Sequence, residues 1–104
     1  MKLKQRLEAL GLNKTEAIVY MDLLIHGVQT VSSIARTSKL HRPAIYRALP
    51  SLKQKGLVTA RQVGKLIQYA AEPPERLNSL VNTMQSELND LVPELNQIQH
   101  KATP

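Results

Sequence analysis

Seven apolar residues, Leu77, Val81, Met84, Leu88, Leu91, Leu95 and Ile98, follow one another at spacings of 4, 3, 4, 3, 4 and 3. This is a heptad seam, the pattern of a helix that lays one apolar stripe along a partner helix. Glu72-Pro73-Pro74-Glu75 stands immediately before it and breaks the preceding element. The last third of the chain is thereby committed to one long helix, and only the residues before it remain to build a core. A chain of 104 residues has room for one modest core and one appendage, because at this size only about two-thirds of the unfolded surface is buried on folding. The reading divides the chain into a domain over residues 1–72 and a helix over residues 73–104.

Within the first part, Leu3, Leu7 and Leu10 fall on one face of a short helix that Gly11 closes. Asn13 and Glu16 have the spacing of a capping box and open a second helix carrying Ala17, Ile18, Tyr20, Met21, Leu24 and Ile25, which ends at Gly27. Ser32 is the expected cap of a third helix holding Ile34 and Ala35. His41-Arg42-Pro43 starts a fourth, since proline is tolerated in a helix's first turn, and Lys55-Gly56 ends it. Leu57 to Val63 and Leu66 to Ala71 alternate apolar and polar residues around Gly64-Lys65, which reads as a β-hairpin with a two-residue turn. The expected fold class is mainly α with a small β-hairpin: two helices joined by a tight turn, a hairpin as wing, and a long C-terminal dimerisation helix.

Charge is distributed unevenly. Residues 1–71 hold 12 basic and 3 acidic side chains, residues 72–104 hold 2 and 5, and the whole chain is +6. A cationic first domain calls for an anionic partner. There is no Phe and no Trp, so base-stacking platforms for single strands are scarce and double-stranded DNA is the better partner. Cysteine is absent, which excludes disulfides and thiolate metal sites. The charged start lacks the apolar stretch of a signal peptide, and no run approaches a membrane span. A cytoplasmic protein with no membrane contact is expected.

The fourth helix carries the functional signal. At 100° per residue Ile45, Leu49 and Leu52 share the core face, while Pro43, Arg47 and Gln54 point away, with Tyr46 and Ser51 on the flanks. A helix with a polar, basic outer face fits the major groove, where arginine pairs bidentately with guanine. Arg42, Tyr46 and Arg47 are the expected base readers. Ser38 and His41 at the helix entrance suit phosphate contacts or capping. Arg61 and Lys65 in the hairpin are placed to reach the adjacent backbone or minor groove, Lys65 foremost. Lys53 and Lys55 sit near the helix C-terminus, where a cation also complements the dipole. Pro50 removes the N–H that would bond the Tyr46 carbonyl, so the helix is expected to kink there or to be shorter. Pro93 is expected to bend or fray the last heptad.

The order of these elements, and several of their residues, resembles the N-terminal winged-helix domain of TrmB-like transcription regulators of archaea and bacteria. The resemblance runs from Leu10-Gly11-Leu12 with Thr15-Glu16-Ala17 and Tyr20, through Ile34-Ala35 and Arg42-Pro43-Ala44-Ile45-Tyr46, to Leu49, Leu52 and Lys55-Gly56-Leu57-Val58. It implies a winged helix-turn-helix that dimerises and binds operator DNA through the helix containing Arg42, Tyr46 and Arg47. Family members commonly continue into a sugar-binding domain that these residues do not contain, so no small-molecule effector and no cofactor is inferred.

Burial of the seven seam positions represents on the order of 10–20 kcal/mol at about 1.5–3 kcal/mol each, against an association cost of about 4–15 kcal/mol. A homodimer is therefore expected, with Leu3 and Leu7 packing against the same seam. Folding of the last helix back onto its own domain is the alternative. An enzyme is not expected: His26, His41 and His100 are far apart, and the carboxylates do not cluster for metal or acid–base chemistry. Glu16 reads as half of a capping box and Asp22 as solvated helix surface. The sequon Asn13-Lys14-Thr15 is better explained as the helix cap. A sequence-specific DNA-binding transcription regulator is the leading function. A nucleoid-type protein with little sequence preference and a winged-helix adaptor for protein contact are the alternatives.

Overall fold

The computed structural model describes residues 2–102. Its elements are α1 (Leu3–Ala9), α2 (Lys14–His26), α3 (Val31–Ser38), α4 (Arg42–Gln54), β1 (Val58–Val63), β2 (Leu66–Ala71) and α5 (Arg76–Ala102). Helices α1 to α4 and the root of the β1–β2 hairpin enclose one core. Helix α5 projects from it and gives the molecule a long axis of 61 Å. The fold is the mainly helical one expected, with a long C-terminal helix.

Local chemistry explains the helix boundaries. At α2 the Asn13 side chain accepts from the Glu16 N–H at 2.8 Å while the Glu16 carboxylate accepts from the Asn13 N–H at 2.7 Å, a complete capping box. The α3 cap differs from expectation. Thr30 Oγ1 accepts from the Ser33 N–H at 3.3 Å, and Ser32 lies exposed in the first turn. Thr30 wins because the chain ahead of it is already held extended, so the helix starts as soon as a side-chain acceptor is available. At the end of α4, Gly56 adopts φ +76° and lets the Leu57 N–H reach the Leu52 carbonyl at 3.0 Å, a turn that favours glycine.

The hairpin pairs Val58 with Ala71 through to Val63 with Leu66. Gly64 at φ +62° is the first residue of its two-residue turn, as a type II′ turn requires. A third short strand is contributed by one residue: Gln29 and Tyr69 form an antiparallel bridge. This bridge was not foreseen from sequence.

The core comprises Leu12, Ala17, Val19, Tyr20, Leu23, Ile34, Ile45, Leu49, Leu52 and Leu57, among others. The Tyr20 hydroxyl donates to the Glu72 carbonyl at 3.1 Å and so ties α2 to the segment that leads into α5. Leu7 belongs to this core and is buried, which corrects its assignment to a dimer surface: α1 is amphipathic enough to fill its own domain. Leu3, one turn earlier, is exposed. Leu77 and Leu80 pack against the same core, and from Val81 onward the described part of α5 is exposed.

Both interior prolines are accommodated without ending their helices, since α4 runs unbroken through Pro50 and α5 through Pro93. Each proline is exposed, so its ring projects to solvent rather than into the core, on the side of the helix where a carbonyl left without its N–H donor is open to hydration.

Asp22 departs from its reading as solvated helix surface, and Glu16 does more than cap α2. Asp22 is only 7% exposed and accepts from Gln29 Nε2 at 3.1 Å. Glu16 is 1% exposed, and besides its capping role it meets Lys55 Nζ at 2.8 and 2.9 Å. Burial pushes the Glu16 carboxyl up, but the Asn13 N–H, the Lys55 ammonium and the Ser51 hydroxyl outweigh it and hold its pKa below the ordinary 4.5. A depressed carboxyl pKa stabilises the fold above its unfolded value and loses that contribution as pH falls through the folded value. Glu16→Gln is therefore expected to lower stability near neutral pH by about 2 kcal/mol and to flatten the loss of stability below about pH 4.5, both read from thermal melts at stepped pH.

Candidate nucleic-acid interface

Burying one stripe of α4 dictates what the other presents. Ile45, Ala48, Leu49 and Leu52 face inward. Arg42, Pro43, Tyr46, Arg47, Pro50, Lys53 and Gln54 are left exposed. Tyr46 retains 57% of its surface, a large amphipathic side chain with no internal structural need to be there. The ion pairs among the described residues are His26–Asp22, Lys55–Glu16 and Arg76–Glu72, so Arg42, Arg47, Lys53, Arg61 and Lys65 are all free of carboxylate partners.

Burial of the acids sharpens this polarity. Residues 1–71 contain three carboxylates, Glu8, Glu16 and Asp22, and two of them are buried. Only Glu8 is exposed. A domain with 12 basic side chains thus offers solvent a nearly unopposed positive surface, which focuses the field on any polyanion that approaches.

The turn entering α4 is built from Ser38 and Lys39. Ser38 Oγ accepts from the Leu40 N–H at 3.2 Å, a local turn bond. Lys39 takes φ +62° at the α3 C-cap, the one non-glycine in that region among the described residues. His41 is the α4 N-cap residue but makes no side-chain cap bond, and it is exposed. Lys39 was given no role from sequence. Its exposure beside His41 places another cation at the entrance of α4.

The hairpin stands beside α4. Alternation puts Ala60 and Tyr69 on one face, with Gln62 and Ile67 beyond them, and Thr59, Arg61, Gln68 and Ala70 on the other. Lys65, Leu66, Ile67 and Tyr69 line an open groove with Thr30, Val31, Ser32 and Tyr46. Lys65 therefore lies on the α4 side of the wing. Arg61 lines a separate depression with Val28, Thr59, Gln68 and Ala70 on the opposite face, so the structure does not bring it together with Arg42 and Arg47. A further cleft, with a volume of about 350 Å³, is lined by Asn13, Lys14, Thr15, Ala44, Arg47 and Ala48, so Arg47 borders the start of α2 as well as the outer face of α4.

Among the described residues no group of three His, Cys, Asp or Glu side chains is placed to hold a metal ion. No helix among them is long and apolar enough to cross a membrane.

The family model described as "Sugar-specific transcriptional regulator TrmB" matches residues 7–75. The chain belongs to the TrmB family. The family is one of transcriptional regulators, and the matched residues form its winged-helix module. One curated relative, an uncharacterized protein of Methanocaldococcus jannaschii, is 40% identical over 60 residues, covering 58% of this chain and 50% of the relative. The chain thus spans about half the length of that relative. Among solved structures it is similar to TrmBL2, an archaeal chromatin protein, with TM-score 0.80 and 27% identity over 95% of this chain and 40% of the other. It also shares the fold of MepR, a transcription regulator of the Staphylococcus aureus multidrug efflux pump MepA, with TM-score 0.60 and 20% identity over 95% of this chain and 79% of the other. Correspondence with MepR and TrmBL2 covers α5 as well as the domain, so the projecting helix is part of the shared architecture.

Because Pro50 removes one α4 hydrogen bond without contributing to the core, Pro50→Ala is expected to raise the melting temperature, by an amount corresponding to about 1–3 kcal/mol. Calorimetry checks this, and a lower melting temperature would mean that the ring supports the Tyr46–Tyr69 side of α4.

Proposed function

We propose that the chain is a sequence-specific double-stranded DNA-binding transcription regulator that acts as a homodimer, with α4 as recognition helix and the β1–β2 hairpin as wing. The observation that carries this reading is the outer stripe of α4. Arg42, Tyr46, Arg47 and Lys53 are exposed together, unpaired by any carboxylate, on a helix whose other face is locked in the core. In the major groove Arg42 and Arg47 read base edges, Tyr46 and Pro43 pack beside them, and Lys53 and His41 hold phosphates. Lys65 tracks the neighbouring backbone from the wing. Ser38 contributes by shaping the turn, and Arg61 holds phosphate only where DNA wraps past the outer face of the hairpin. Residues 1–72 serve as the DNA-binding unit and residues 73–104 as the dimer helix.

The dimer rests on α5. Val81, Met84, Leu88, Leu91, Leu95 and Ile98 keep 41–66% of their surface, a continuous apolar stripe along a helix about 40 Å long. Val92, outside the heptad count, adds to it. A second copy of the same stripe covers it, with Leu77 closing the seam at its root, and sets two recognition helices against a two-fold symmetric site.

A second reading is favoured by the similarity to an archaeal chromatin protein: DNA coating with little base preference. Selection of bound duplexes from a random pool, with salt dependence measured on winners and on scrambled DNA, separates the two. A two-fold motif supports the regulator, and binding without a motif supports the chromatin reading. Arg47→Ala is expected to cost about 1–3 kcal/mol and relax sequence preference, whereas Lys65→Ala weakens all duplexes alike and reduces the salt slope by about one. Leu88→Glu is expected to convert the dimer to monomer in sedimentation while leaving the melting of the winged-helix domain unchanged, because Leu88 touches no core residue.

A further inference from the structure

One buried polar side chain, Gln29, joins three elements of the domain. It is 6% exposed. Its Nε2 donates to the Asp22 carboxylate at 3.1 Å and toward the Asp22 carbonyl at 3.4 Å, near the end of α2. Its Oε1 accepts from Ser33 Oγ at 2.9 Å, on α3. The Thr37 hydroxyl, also on α3, lies within reach of both Gln29 Oε1 and the Asp22 carboxylate and has one proton to share between them. The backbone of the same residue grips the wing: the Gln29 N–H donates to the Tyr69 carbonyl at 2.9 Å and the Tyr69 N–H donates to the Gln29 carbonyl at 2.7 Å.

Outward from this bridge the hairpin has little to brace it. Residues 59–67 are exposed, and what lies behind the tip is an open groove rather than a packed face. From Tyr69 to the turn is four residues, about 13 Å at 3.3 Å per residue. A tilt of about 10° at the bridge would carry Lys65 about 2 Å, enough to break a hydrogen bond to phosphate. Helix α4 leads into β1 through the short turn Lys55-Gly56-Leu57, with Leu57 and Val58 buried, which holds the root of β1, while β2 is tied to α2 and α3 through Gln29.

We propose that Gln29 is a positioning residue that fixes the angle between the wing and the helix-turn-helix, so that Lys65 and Arg47 address the same duplex. Its amide satisfies α2 and α3, its peptide holds β2, and neither half substitutes for the other. A buried network that is satisfied at every member rigidifies the elements it joins, and no buried side-chain polar atom among the described residues lacks a partner. The consequence for DNA rests on the proposed binding mode, but the rigidity itself does not.

Gln29→Met tests this, since it keeps side-chain length and the backbone bridge while removing the amide, and Asp22 keeps the Thr37 hydroxyl. Because the chain has no cysteine, spin labels at Gln54→Cys on α4 and Gln62→Cys near the wing tip report the angle without DNA. One narrow distance is expected in the parent and a shifted or broadened one with Gln29→Met. An unchanged distribution overturns the proposal. On DNA, Gln29→Met is expected to weaken binding about threefold to tenfold with Lys65→Ala adding less than about twofold further, whereas Arg47→Ala keeps its full effect. Full multiplication with Lys65→Ala, at a temperature where circular dichroism shows the variant folded, counts against it. If Arg47→Ala and Lys65→Ala alone leave binding unchanged, the DNA-binding mode fails, and the label distance still decides the role of Gln29.

Discussion

Burial of Ile45, Ala48, Leu49 and Leu52 is the constraint from which the rest of the molecule follows. Once that stripe of α4 is in the core, helical geometry leaves no freedom in where Arg42, Tyr46, Arg47 and Lys53 point. The same burial fixes the end of α4, because Leu57 can enter the core only after the turn at Gly56. That turn in turn starts β1 with Val58 facing inward and sets the alternation of the whole hairpin. The proposed reading surface is thus a by-product of core packing. Its residues are held by what lies behind them and need no contacts of their own.

Electrostatics is organised by the same economy of contacts. Glu16 and Asp22 are used inside the domain, the first to cap α2 and to meet Lys55, the second to hold Gln29 and Thr37. Each does structural service in a position where its charge is hidden from solvent. Had either been exposed near α4, it would have neutralised an arginine and repelled phosphate. A buried ion pair contributes little net stability against an apolar alternative, so the value of Glu16–Lys55 lies in joining α2 to the end of α4 while leaving the outer face cationic.

Most of the fold was legible in the sequence because its signals are local. Asn13 and Glu16 announced α2, Gly56 ended α4, Gly64 made the hairpin turn, and the 4-3 spacing drew α5. The outward face of α4 was legible for the same reason, since a helical period needs no knowledge of neighbours. What escaped was long-range or three-dimensional. Asp22 looks like any surface carboxylate until Gln29, Ser33 and Thr37, 7 to 15 residues away, are brought around it. The Gln29–Tyr69 bridge spans 40 positions and carries no local mark. Lys65 was set ahead of Arg61 by its place at the tip alone, because the hairpin's faces could be counted but not assigned: which face meets α4 depends on how Tyr69 packs. Leu7 misled because an amphipathic stripe does not say which apolar surface it will meet. Pro50 and Pro93 misled in the other direction, since the cost of an interior proline depends on whether its carbonyl partner reaches water, and in both helices the proline is exposed.

Helix α5 stands apart from this logic because its first turns and its remainder answer to different demands. Leu77 and Leu80 are anchored by the domain, and Tyr20 holds Glu72 just ahead of them, so the direction in which α5 leaves is set from within. Beyond Val81 the apolar stripe is largely exposed among the described residues, with Met84 passing near Gly11. Most helical stability in proteins comes from packing of an amphipathic face rather than from propensity, and Asn82, Asn89, Asn96 and Pro93 are poor helix formers. Intrinsic propensity therefore does not account for a helix that continues to Ala102. Burial of Met84, Leu88, Leu91, Leu95 and Ile98 against a second copy, as proposed, would account for it, and the helix and its pairing would then form together. The anchored root then becomes significant: a rigid connection at Leu77 means that pairing of the helices would fix the distance between two copies of α4, and with it the spacing at which a symmetric DNA site can be read.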